Sequence, residues 1–154
     1  MHWGAAEQAE RAVDGARAAS KWWGRLALEE RVAPFLRAAD MLEHGYWRDR
    51  LNAATMLELS KTTYQADIDA ACETLDFIRA NVKNMFDMYS VQPTSRPGEW
   101  NSDEYRPLEG VFFAVTPFNV TCMNTIPFGH AARGNPVVGN PAEGAPQVPR
   151  LWSK

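Results

Sequence analysis

Cysteine and histidine are scarce in this 154-residue chain, with Cys72 and Cys122 the two thiols and His2, His44 and His130 the three imidazoles. Two thiols far apart in sequence, with no C-x-x-C spacing, make neither a disulfide framework nor a redox pair, and free thiols are expected. The histidines lack metal-ligand spacing, so no zinc or iron site is expected. Positive charge is not in surplus either. Sixteen Lys and Arg against nineteen Asp and Glu leave a net charge of −3, which offers no handle for nucleic acid or an anionic membrane. No apolar run approaches the roughly 18 residues that read as a membrane span. The N-terminal stretch lacks the basic and apolar regions of a secretory signal, and the expected compartment is the cytoplasm.

What the chain does have is helix-forming sequence followed by strand-forming sequence, without internal repeats. A first helix is expected from Ala5 to about Lys21, closed by Trp22-Trp23-Gly24, with the Trp pair packing on neighbouring helices. A second should run from Leu28 to His44, with Val32, Phe35, Leu36, Ala39 and Leu42 on its apolar face and Gly45 as its stop. A third, Tyr46 to Leu59, turns Leu51, Ala54 and Leu57 or its neighbours inward. In the fourth, Tyr64, Ile68, Ala71, Leu75, Ile78, Val82, Met85 and Tyr89 recur with spacing 4-3-4-3-4-3-4. That stripe means a long helix lying on a core, since the flanking positions lack the alternating charges of a zipper. Thr62 or Thr63 is its expected N-cap. Asp67 and Asp69 stand two apart on it, do not face each other, and are read as a solvated polar face.

After Ser90 the character changes. Residues 91–104 hold Pro93, Pro97 and Gly98 and read as an exposed connection or weak hairpin. Tyr105–Gly110 is an extended approach to a buried strand, Val111–Thr116. A helix over Cys122–Arg133, a turn at Gly134-Asn135 and a second, parallel strand at Pro136-Val137-Val138 complete a βαβ crossover. Gly139 to Lys154 is expected to be a frayed tail. The first strand stops at Thr116-Pro117, and Asn119 follows at its carboxyl end, where open α/β sheets collect their ligands. Cys122 is expected to pack as a small hydrophobe, His130 to sit on a helix surface, and Glu109 to serve a turn or the surface.

Several strings together resemble the NAD-dependent aldehyde dehydrogenases, nearest the branch acting on L-glutamate γ-semialdehyde (1-pyrroline-5-carboxylate). They are Lys61-Thr62, Tyr64-Gln65-Ala66-Asp67-Ile68-Asp69-Ala70-Ala71, Leu75-Asp76-Phe77-Ile78-Arg79, Ala38–Leu42, Leu108-Glu109-Gly110 and Pro117-Phe118-Asn119. The resemblance covers roughly Ala5 to Gly139. It implies an α/β fold: a mostly helical front portion and the first βαβ of a Rossmann-like NAD-binding domain. On that view residues 1–154 are one partial cofactor-binding domain, with a helical part (1–90), a linker (91–104), a strand and loop part (105–139) and a tail (140–154).

In such enzymes a cysteine thiolate attacks the aldehyde, hydride passes to NAD, and a Glu-activated water releases the acid. The resemblance gives Asn119 the role of side-chain donor to the developing oxyanion, a task that suits a neutral amide. Val115, Thr116, Pro117 and Phe118 become backbone lining the nicotinamide side, and Asn140, where the family has Lys, a group for the ribose. Asp67 replaces a family Glu bordering the substrate cavity. The nucleophilic Cys and the Glu-Leu-Gly-Gly stretch have no counterpart here, so the chain alone is expected to be inactive. The expected partner is a small-molecule aldehyde, with no nucleic acid or membrane. A eukaryotic source would imply the mitochondrial matrix, although no transit peptide is seen. So few strands leave a sheet face and edge uncovered, which implies self-association. The other reading is a non-catalytic helical interaction module that keeps a remnant of this fold.

Overall fold

The structure, a computed structural model, describes residues 5–142. Helices α1 (Ala6–Trp23), α2 (Leu28–Glu43) and α3 (Tyr46–Leu59) come first. A longer helical run follows, built from α4 (Thr63–Ala66), a π-helical turn (Asp67–Cys72) and α5 (Glu73–Ser90). Strand β1 (Phe112–Val115), a 3-10 turn (Cys122–Thr125), α6 (Ile126–Ala132) and β2 (Val137–Asn140) then form the crossover.

Local chemistry accounts for the helix ends. The Gln8 and Glu30 side chains accept the Ala5 and Ala27 amides, both at 3.0 Å, at the starts of α1 and α2. Gly45 (φ +84°) and Ser60 (φ +53°) occupy the left-handed region on either side of α3. Thr62 is the N-cap of α4: its hydroxyl accepts from the Gln65 amide and the Gln65 side chain returns the bond to the Thr62 amide.

The core forms around α2 and α5. One cluster holds Ala39, Leu42, Leu51, Ala70, Leu75 and Ile78; the other holds Val32, Val82, Met85 and Ala132. Each large side chain fully buried there, Leu51 and Met85 among them, contributes about 1.5–3 kcal/mol. Leu36 and Leu57 are exposed instead, and Thr55 takes the inward position on α3.

The fourth apolar stripe holds only over its C-terminal part. Ala71, Leu75, Ile78, Val82 and Met85 are buried as the spacing predicts, but Tyr64 and Ile68 face solvent, and Ala66, Asp69 and Ala70 are buried in their place. The π-helical turn is the reason. Its wider loop admits an extra residue, which rotates everything before it by about 100° relative to a regular helix. The same rotation overturns the solvated reading of Asp69, which is turned into the interior.

Strands β1 and β2 are parallel, in register Phe112↔Val137 to Val115↔Asn140. The expected burial of β1 is only half realised: Ala114 and Thr116 point inward, whereas Phe113 and Val115 are exposed, because no layer covers that face among the described residues. Gly139 and Asn140 continue β2 rather than starting a tail. Backbone pairing decides this, with the Thr116 amide donating to the Asn140 carbonyl at 3.2 Å. The rest of the tail, residues 143–154, lies outside the described residues. The 91–104 connection is exposed and carries a single Arg96–Glu99 bridge around Gly98.

Two turns meet behind the crossover. Gly24, closing α1, and Gly134, between α6 and β2, pack against each other and Pro107; a Cβ on Gly24 would lie 2.8 Å from Pro107 Cγ. Trp23 Nε1 donates to the Ala131 carbonyl at 2.6 Å. Its neighbour Trp22 is exposed rather than packed inward. Buried Arg31 donates to the carbonyls of Ala132 (3.0 Å) and Leu26 (3.1 Å), and to the Tyr89 hydroxyl (3.2 Å). This fastening sets the crossover on the helical part and so fixes where the strand ends point.

Candidate active-site loop at the strand ends

The loop from Pro117 to Val120 leaves the end of β1 and re-enters the interior at Thr121. Asn119 is exposed near its middle, and Pro117 and Phe118 are exposed beside it. The two ends are buried and tied to one another. Thr116 Oγ1 donates to Asn124 Oδ1 at 2.7 Å, and Asn124 Nδ2 donates to the Thr121 carbonyl at 3.0 Å.

Thr121 is held from two further sides. Its amide donates to both carboxylate oxygens of Asp69, at 3.1 and 3.2 Å, and its hydroxyl shares a hydrogen bond with Thr55 at 2.9 Å. Asp69 in turn is ion-paired with Lys61. A donor that must meet developing charge gains from a backbone fixed in advance, and this loop is fixed at both ends. Sequence reasoning missed Asp69, Thr121 and Asn124. The π-helical turn that brings Asp69 inward has no signature in the residue spacing.

The strand ends lie side by side, since Val115 pairs with Asn140, so the residues expected to line a cofactor are brought together. Two clefts flank them. One, of about 490 Å³, is mostly apolar and lined by Trp23, Phe35, Thr116, Asn124, Asn140 and Pro141 among others. The other, of about 300 Å³, lies by the outward residues Phe113 and Val115, with Pro117, Met123 and His130. His130 is half-buried on its helix: its ring stacks on Phe112 at 3.7 Å, and burial, with a smaller push from Arg133, lowers its pKa.

Asp67 lies apart from the loop residues, in a charged network of its own. Arg48 grips it with two hydrogen bonds of 2.8 Å and Asn52 adds one of 2.7 Å. The Arg48 hydrogen bonds, followed by that from Asn52, hold its carboxyl below the ordinary carboxylate range. Cys72 Sγ accepts from Arg48 at 3.3 Å, which places a guanidinium beside this thiol. Glu109 is exposed beside Arg106, consistent with a turn.

Cys122 is fully buried, and its thiol donates to Glu73 at 2.8 Å. Burial first, and then the hydrogen bond to Glu73, push its pKa far above the usual thiol range. It is a small packed side chain with its proton held, the opposite of an activated nucleophile. Asp69, Glu73 and Cys122 lie close enough to share a cation, but Lys61 and the Thr121 amide already occupy the Asp69 oxygens. Iodoacetamide at mildly alkaline pH should therefore label half-exposed Cys72 first. Each unit of pKa elevation costs about tenfold in thiolate, so Cys122 should react at least about tenfold more slowly. Mass spectrometry of tryptic peptides over time reads this directly, and equal rates would contradict the assignment.

A parallel βαβ crossover with an amide-bearing loop and flanking clefts at its strand ends is the front of a ligand-binding α/β domain. The family model described as "Aldehyde dehydrogenase family" matches residues 1–152, and the chain belongs to that family. Its relatives include a delta-1-pyrroline-5-carboxylate dehydrogenase of Agaricus bisporus, 46% identical over 147 residues, which cover 94% of this chain and 27% of the relative. The mitochondrial enzyme of that name from Homo sapiens is 40% identical over 136 residues, covering 88% of this chain and 24% of its own. The delta-pyrroline-5-carboxylate dehydrogenase of Mycobacterium tuberculosis, solved bound with NAD, superposes with a TM-score of 0.91 at 45% identity, over 94% of this chain and 27% of that one.

The chain thus spans about a quarter of the length of the relatives it matches, and its fold corresponds to the N-terminal part of theirs. NAD is the family's cofactor. Among the described residues the strand ends are paired at Val115 and Asn140, and Val115 is exposed there. None of the described residues forms a glycine-rich turn into a helix N-terminus of the kind that holds a pyrophosphate.

Proposed function

We propose that this chain is the front part of an NAD-dependent dehydrogenase that oxidises L-glutamate γ-semialdehyde to glutamate in proline degradation. The observation that carries the reading is the Asn119 loop, exposed at its centre and tied down at Thr116 and Thr121. Asn119 donates its side-chain amide to the oxygen that becomes negative as a thiolate attacks the aldehyde. Val115, Thr116, Pro117 and Phe118 line the nicotinamide side, and Asn140 hydrogen-bonds a ribose hydroxyl. When bound, NAD supplies the hydride acceptor. Asp67 borders the substrate cavity through its network with Arg48; this role rests on the resemblance, since both its oxygens are already engaged.

The 154-residue chain by itself does not turn over aldehyde on this account. Cys122 is buried and protonated and Cys72 sits in the Arg48–Asp67 network, which leaves no thiolate facing the loop. The experiment supplies what is absent, by grafting residues 5–142 in place of the matching segment of the M. tuberculosis relative. NADH formation with glutamate γ-semialdehyde supports the reading. The expected partner is this small aldehyde, and the compartment is the cytoplasm, or the mitochondrial matrix for a eukaryotic chain, a reading supported by relatives named mitochondrial.

Exposed Phe113, Val115 and Phe118 favour a second reading, a non-catalytic module that binds through this face or self-associates along the strand edge. On either reading the isolated chain should bind an apolar dye such as ANS. The double substitution Phe113→Ser, Val115→Thr should cut the dye signal severalfold. A dye-silent, monodisperse wild-type chain would speak against an open apolar face.

A further inference from the structure

Asp69 is a buried carboxylate on a helix, at a position where regular helical spacing would leave it in solvent. The π-helical turn Asp67–Cys72 is what brings it in. Once inside, it accepts the backbone amide of Thr121 with both oxygens while Lys61 pairs with it from the other side. Thr121 is 1% exposed and lies two residues after Asn119. The other anchors of Thr121 are neutral hydrogen bonds, from Asn124 and with Thr55; the bond to Asp69 is assisted by charge, and such bonds are about twice as strong.

We propose that Asp69 is the positioning residue for the Asn119 loop: the π-helical turn exists in this fold to deliver a carboxylate to the Thr121 amide, which fixes the loop's return and hence where Asn119 stands. The inference rests on the reading of Asn119 as oxyanion donor for its functional meaning, though not for its geometry. Burying a carboxylate is costly, and local departures from regular helix geometry often occur at functional sites. Here the cost is offset by Lys61 and by the amide the carboxylate restrains. Lys61 and Asp69 both belong to the string Lys61–Ala71, so one short stretch of sequence supplies the carboxylate, its counter-ion and the turn that aims it.

The test uses the 154-residue chain labelled with nitrogen-15, with amide exchange at Thr121 and backbone order at Asn119 as readouts. Val82 and Met85 in α5 serve as internal references. In Asp69→Ala, Thr121 exchange relative to Val82 should accelerate at least about tenfold, the loss expected for a hydrogen bond to a charged group. The Asn119 order parameter should fall below about 0.6, into the flexible range. Asp69→Asn, which keeps an acceptor oxygen in the same place, should restore both to within about threefold and about 0.1 of wild type. If Asp69→Ala does not fold, Asp69→Ser, whose hydroxyl is too short to reach the amide, carries the same expectation.

An unchanged Thr121 in the Ala or Ser variant would overturn the proposal. So would Thr121 and Val82 accelerating together, which marks a purely structural role, or an Asn variant no better than Ala. None of these readouts involves turnover. A loop that depends on Asp69 while Asn119→Ala leaves turnover intact in the graft would sink the oxyanion reading and leave the positioning standing.

Discussion

Asn119→Ala in the grafted dehydrogenase should lower kcat about 10²–10³-fold, the loss seen when one oxyanion donor is removed from a preorganised site. KM should change little, because the interaction develops only as the carbonyl oxygen gains charge. Asn119→Asp should be at least as damaging, since it replaces a donor by a group that repels the oxyanion. Asn119→Gln should not rescue: the side chain is one methylene longer, and both ends of the loop are tied at Thr116 and Thr121, so the backbone has no slack to retreat. Steady-state rates with glutamate γ-semialdehyde check all three. A loss smaller than about fivefold for Asn119→Ala would mean that the exposed amide is not the donor.

The largest expected effect on stability belongs to Arg31. It is 4% exposed, and its recorded hydrogen-bond partners are carbonyls of Gly24, Leu26 and Ala132 and the Tyr89 hydroxyl. These tie the α1–α2 turn, the end of α5 and the end of α6 together, which is how the crossover is mounted on the helices. Arg31→Ala removes donors from buried carbonyls and leaves a void along the stem, and the two effects together should cost about 3 kcal/mol. Arg31→Lys should recover only part, because one ammonium cannot reach partners spread around a planar fork. Urea unfolding checks the prediction through the shift in midpoint at constant slope. A cost under about 1 kcal/mol would show that the turns are held by the Gly24–Gly134 contact and Trp23 without help from Arg31.

Periodicity and punctuation made most of the fold legible. Gly24 and Gly45 marked helix ends correctly, Leu28–His44 and Tyr46–Leu59 came within a residue of the observed helices, and Val111–Thr116 with Pro136–Val138 located the parallel pair. The failures share causes. Tyr64, Ile68 and Asp69 went to the wrong faces because a π-helical turn shifts the phase of a helix without changing its residue types. Leu36 and Leu57 are apolar but exposed, and composition alone cannot tell an uncovered face from a covered one. Gly139 and Asn140 look like tail residues, yet pairing with β1 makes them strand.

The candidate loop could be picked out in the sequence, and the contacts that support it could not. Pro117-Phe118-Asn119 is a local string, and resemblance found it. Thr121, Asp69 and Thr55 act through contacts far apart in sequence, such as the pairing of Thr55 with Thr121, and no short pattern carries them. The surroundings of His130 and Cys72 were illegible for the same reason. Their neighbours Phe112 and Arg48 arrive from other elements.

The central claim is that residues 5–142 are a working front portion of a glutamate γ-semialdehyde dehydrogenase. NADH production by the graft, with NAD and glutamate γ-semialdehyde, tests it most directly when set beside the 154-residue chain alone. The account predicts turnover within about tenfold of the parent for the graft, as expected where the donor loop is kept intact, and none for the chain alone. A graft that folds and assembles like the parent but makes no NADH would contradict it, and so would NADH made by the lone chain.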